Sequence, residues 1–120
     1  MKLLIAGSRS ITNEPKIRKL LYDIITFIDK PVTEIISGAA VGMDRIGESY
    51  ASMMNIPVKQ MPADWGKYGK QAGPIHNKAM AEYCDWAIIL WDGKSEGARN
   101  MAEEMNKVNK FYVMEIVDGL

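Results

Sequence analysis

The sequence predicts a three-layer α/β domain built on a five-stranded, mostly parallel sheet in the order 3-2-1-4-5. Three observations predict it. Five short apolar runs alternate with amphipathic segments, and that alternation implies parallel strands joined by right-handed crossovers. The first and fourth runs are apolar almost throughout, as strands buried on both faces are. The chain has 120 residues, 48% hydrophobic and 25% charged, which suits one globular domain over residues 1–120 and argues against disorder or coiled coil.

The first strand is expected over residues 3–6, before Gly7. A helix follows over residues 14–29, where Ile17, Leu20, Leu21, Ile24, Ile25 and Ile28 recur at offsets of three and four and form one stripe. Thr12 or Asn13 can cap it, and Pro15 suits a first helical turn. The second strand is expected over residues 34–37. The helix after it carries Met43, Ile46, Gly47, Tyr50, Ala51 and Met54 on one face. The third strand falls in residues 57–61. Residues 62–74 then read as the longest irregular segment, and a loop of that length in a compact domain is more often functional than idle. A shorter helix is expected over residues 75–83, a fourth strand over 86–91, and a last helix with Ala98, Met101, Ala102, Met105 and Val108 inward. Residues 111–117 supply the fifth strand. The whole is Rossmann-like.

Composition narrows the functions. Fifteen basic residues balance fifteen acidic ones, so broad charge-driven binding to nucleic acid or to an anionic membrane is disfavoured. One cysteine, Cys84, and one histidine, His76, make neither a disulfide nor an ordinary zinc site, and no metal or cofactor is expected. The apolar N-terminus breaks at Gly7, too soon for a signal peptide or a span, so a soluble cytoplasmic protein is expected. Most of the nine methionines fall on helix stripes and read as core; outer apolar residues suggest a homo-oligomer of undetermined size.

In an open parallel sheet, ligands bind beyond the carboxyl ends of the strands, where the strand order reverses. The turns there are rich in small residues and glycine, which let a backbone approach a ligand closely, and helix starts favour anions. The expected ligand contacts are Gly7, Ser8 and Arg9 from the first turn, and Ser37, Gly38, Ala39, Gly42 and Asp44 from the second. Asp64 and Trp65 follow the third strand, His76 and Asn77 start the next helix, and Asp92, Ser95, Gly97 and Ala98 close the set. The first turn lacks the further glycines of a dinucleotide fingerprint. Gly93-Lys94-Ser95 lacks the P-loop glycine five residues earlier, where Ile88 stands.

Single residues keep two roles open. Arg9 can fork onto a phosphate or carboxylate, or pair with Asp44. Asp44 can serve the helix dipole, or bind a ribose hydroxyl or polarise water. Trp65 and Tyr68 can stack on a base, close a lid or form an oligomer contact. His76 and Asn77 can donate to an anion, or stand as a surface histidine and a cap. If a bond is broken, Asp44, Asp64, Asp92 and Glu96 are the candidate acids and bases.

Taken together, Gly7-Ser8-Arg9, the run from Ser37 to Asp44, Pro62-Ala63-Asp64-Trp65, residues 69–77 and residues 91–97 resemble the SLOG superfamily, over almost the whole chain. The nearest resemblance is to its small single-domain YspA-like branch of bacteria and phages. The resemblance implies a Rossmann-like fold and binding of a nucleotide or nucleotide-derived molecule, of ADP-ribose, cyclic or mononucleotide type, by a sensor or sequestering protein. A hydrolase cleaving an N-glycosidic or phosphoester bond is the alternative, and single-stranded DNA binding, known among DNA-processing relatives, comes last. Three departures stand out. The branch usually has arginine where His76 stands and often where Val41 stands. It favours threonine where this chain has Ala98, with Arg99 beside it. The phosphoribohydrolases carry a supporting glutamate where this chain has Met101, which argues against that cleavage chemistry.

Overall fold

Four apolar side chains in succession open the chain, and in the computed structural model, which describes residues 1–117, they sit at the centre of the sheet. Strands β1 (Lys2–Gly7), β2 (Glu34–Ser37), β3 (Val58–Gln60), β4 (Trp86–Trp91) and β5 (Tyr112–Ile116) form one sheet in the order β3-β2-β1-β4-β5. All four pairings are parallel. Helices α1 (Glu14–Ile28), α2 (Met43–Met53), α3 (Trp65–Tyr68), α4 (Ala72–Tyr83) and α5 (Glu96–Lys107) connect the strands.

The two-residue period of a strand divides the core. Leu3 and Ile5 of β1 join Ile35 and Ile88 against Ile17, Leu21, Met43 and Ile46 of α1 and α2. Leu4 and Ala6 face the other way, with Ile36 and Ile89, onto Met80, Met101 and Met105 of α4 and α5. The three layers expected from the pattern are present. Asn13 caps α1 by accepting from Lys16 N, and Pro15 lies in the first turn. Cys84 is fully buried, and burial pushes its thiol up to about 11, so it behaves as a small apolar residue.

Two expectations are corrected. Residues 62–74 are not irregular: they contain α3, a single 3₁₀ turn (Gly69–Gln71) and the start of α4. Helix α4 begins at Ala72, three residues before the expected start, and runs through Pro74. Proline is tolerated there because first-turn amides have no intrahelical acceptor to lose. α5 likewise begins earlier than its apolar stripe, at Glu96, on the N-cap Ser95.

Candidate functional site

β1 is the topological pivot. The chain steps from it to β2 and β3 on one side, while β4 and β5 lie on the other. The turns leaving β1, β2 and β4 therefore open on one rim, and a cleft of about 870 Å³ lies there. Gly7 and Arg9 line it from the first turn, Gly38, Ala39 and Asp44 from the second, and Asp92, Ser95, Gly97 and Ala98 from the fourth. Trp65, His76 and Asn77 close the remaining side. The expected residues thus converge, with four exceptions.

The exceptions have structural duties. Ser8 is fully buried; its hydroxyl accepts from Asp92 N at 3.0 Å and so locks the β1 turn to the β4 turn. Ser37 is equally buried, donates to Glu48 Oε2 at 2.6 Å and accepts from Ala39 N at 3.1 Å. Gly42, with φ of 76°, packs its α-carbon against the Arg9 backbone, where a side chain would collide with the Arg9 carbonyl. Asp64 caps α3 by accepting from Lys67 N at 3.0 Å. None of the four lines the cleft, and neither does Glu96.

The second turn is built around a missing side chain. A Cβ on Gly38 would stand 2.7 Å from His76 Cε1, 2.8 Å from His76 Nε2 and 2.8 Å from Asp44 Oδ2. Imidazole and carboxylate thus share the space that glycine leaves. The early start of α4 explains this: His76 lies in the second turn of α4, not at its start, and its ring reaches back to Gly38. Its buried Nε2 has no hydrogen-bond partner among the described residues, and burial lowers its pKa, which keeps it neutral near pH 7. Asp44 is 8% exposed, and burial raises its carboxyl to about 6, even though it accepts from Ala40 N at 3.2 Å and faces Arg9. Arg9 itself is exposed and makes no ion pair with Asp44 among the described residues.

The fourth turn is organised by an anion of its own. Asp92 Oδ1 accepts from Lys94 N and Ser95 N, both at 2.8 Å, and Oδ2 accepts from the Ser10 hydroxyl at 2.7 Å. These bonds, those from the Lys94 amide and the Ser10 hydroxyl foremost, hold its pKa well below the usual carboxylate range. Asp92 therefore stays ionised and fixes the turn. Asn77 likewise spends its amide on Gly97 O at 3.0 Å and Asn100 Oδ1 at 2.9 Å, tying α4 to the start of α5. Gly97 is exposed, and a Cβ there would meet only Ser95 Oγ, at 4.0 Å.

The profile of the YspA, cpYpsA-related SLOG family, YAcAr, matches residues 1–68, more than half of the 120-residue chain. The chain belongs to this family. No curated protein and no solved structure gives a significant match. The SLOG match covers the first and second turns and Trp65; His76, Asp92 and Gly97 lie beyond it. This SLOG chain has no helix among its described residues long and apolar enough to cross a membrane.

Nine lining residues were outside the expected set, among them Ser10, Met80 and Met101. Ser10 lies in the first turn, next to Arg9, and its hydroxyl reaches Asp92. Met80 and Met101 sit on helix stripes that read as core; both are buried, and both also line the cleft. Tyr68, expected beside Trp65, instead lines a neighbouring hollow of about 400 Å³ with Lys59 and Ile75, behind a wall shared by Pro62 and His76.

Proposed function

We propose that the chain binds a nucleotide or nucleotide-derived small molecule in this cleft. The observation that carries the reading is the meeting of three βα turns and one half-exposed tryptophan on a single cavity of about 870 Å³, within the range of small-molecule sites. Each part of such a ligand has a counterpart. Trp65 offers an aromatic face to a base, and Met80, Met101 and Ala98 offer apolar surface. Arg9 supplies the fork for a phosphate. The first-turn amides of α5 lack intrahelical acceptors and lie at the positive end of its dipole. Family membership points the same way. A role as sensor or sequestering protein fits a site with Met101, a group without acid–base chemistry, on its wall.

A second reading, hydrolysis of an N-glycosidic or phosphoester bond, has one observation in its favour. Asp44, raised to about 6, and neutral His76 face the same point above Gly38, the pairing that proton transfer near neutral pH requires. Of the other candidate acids, Asp92 is saturated with donors, and Asp64 and Glu96 do not line the cleft.

One experiment tests both. The purified chain is incubated with nucleoside monophosphates, cyclic nucleotides and ADP-ribose, and thermal stabilisation and product are followed together. Stabilisation with ligand recovered intact is the expected result. Release of a free base or a ribose phosphate moves the assignment to hydrolysis, and no stabilisation by any ligand removes both.

A further inference from the structure

We propose that the cleft selects nucleotide-derived ligands carrying a single phosphate group, as a monoester or a cyclic diester, and discriminates against di- and triphosphates. The inference deepens the binding reading above and rests on it. It comes from the charge inventory of the lining and from the way the turns use their own amides.

Arg9 is the one lysine or arginine lining the cleft among the described residues, and it is accompanied by two carboxylates, Asp44 and Asp92. His76 adds no positive charge while its ring is neutral. Lys94 and Arg99 belong to the same turn and helix but do not reach the lining. A polyphosphate needs several donors or cations spread along its length, as glycine-rich phosphate loops provide.

The amides that would serve a second phosphate are already occupied. The fourth turn offers successive N–H groups from Lys94 and Ser95, and Asp92 Oδ1 fills that nest at 2.8 Å from each. The second turn offers Ala39 N and Ala40 N, taken by Ser37 Oγ at 3.1 Å and Asp44 Oδ2 at 3.2 Å. Ala98 N is accepted by Ser95 Oγ at 3.4 Å. The protein's own oxygens therefore stand where polyphosphate oxygens would stand, and two of those oxygens belong to carboxylates. What remains for an anion is the Arg9 guanidinium and, at the start of α5, the amide of the lining residue Gly97. A second phosphate would bring at least one more negative charge toward two carboxylates without gaining a cation, at distances over which salt screens only partly.

The test is a calorimetric titration of the full chain with one base carried through five forms: nucleoside, 5′-monophosphate, cyclic monophosphate, diphosphate and triphosphate. Each is measured at low and high ionic strength, with and without Mg²⁺. The monophosphate or the cyclic form is expected to bind tightest, with a loss of about tenfold for each added phosphate. That gap narrows at high ionic strength, and Asp44→Asn narrows it at constant salt. Equal or tighter binding of di- or triphosphate, with or without Mg²⁺, overturns the proposal while leaving nucleotide binding intact. A nucleoside that binds as tightly as its monophosphate overturns it as well. Absence of binding by all five forms, for every base tried, removes the binding reading and the charge rule together.

Discussion

The glycine turns after β2 and β4 look alike in the sequence and differ in the structure. Gly38 is buried, and the space above its α-carbon is filled by His76 and Asp44 from the protein itself. Gly97 is exposed, and the space above it is open apart from Ser95 Oγ at 4.0 Å. Glycine at 38 is required by the protein's own packing. At 97 the fold makes no such demand, and glycine in a helical turn costs stability relative to alanine. The difference teaches that the same residue marks an internal close approach at one turn and leaves open space above its α-carbon at the other.

The comparison can be broken by substitutions. The largest expected effect is on Asp44. Its carboxyl titrates at about 6 in the fold against 3.8 unfolded. Between those values the folded chain keeps a proton that the unfolded chain releases. The contribution of this carboxyl to stability is therefore highest below about pH 4, declines as pH rises to about 6, and stays reduced above that. Asp44→Asn should flatten that slope and raise stability near pH 7 by up to about 3 kcal/mol, read from denaturant midpoints across pH. The opposite sign holds for Asp92, whose lowered pKa adds stability above about pH 4 that is lost on acidification. An unchanged pH profile in Asp44→Asn would remove the buried charge from the account.

Next comes Gly38→Val, which should cost about 1–3 kcal/mol by overpacking against His76 and Asp44 and should abolish ligand binding. Combining it with His76→Ala should recover part of the stability, measured as a double-mutant cycle. Additive effects would show that His76 does not fill that space. Arg9→Ala should weaken ligand binding about tenfold and leave the thermal midpoint nearly unchanged, because the side chain is exposed and forms no ion pair among the described residues. The smallest effect belongs to Gly97→Ala, expected to raise stability by about 0.5 kcal/mol while reducing affinity. Destabilisation there would erase the distinction between the two turns.

Much of the fold was legible. Four apolar residues at 3–6 and an almost wholly apolar run at 86–91 read as strands buried on both faces, and they lie within the central strands of the sheet. What escaped was short or tolerated by an end effect. α3 has four residues and no buried side chain, so it leaves no stripe to read. Gly73-Pro74 reads as a break, yet the first turn of a helix accepts proline. The site was legible in outline because strand ends can be located from strands. Its internal economy was not. That Asp92 folds back onto Lys94 N and Ser95 N, that Ser8 and Ser37 turn inward, and that Asp64 caps a helix are side-chain choices between ligand and backbone that spacing does not reveal.

The most direct measurement is a titration of the ¹⁵N-labelled chain with a set of mononucleotides and cyclic mononucleotides, followed by amide chemical shifts. Shifts concentrated at Arg9, Ala39 and Gly97, with the β3 edge silent, are what the account predicts. Perturbations confined to the hollow beside Tyr68, or amides that stay put with every ligand at millimolar concentration, would contradict it.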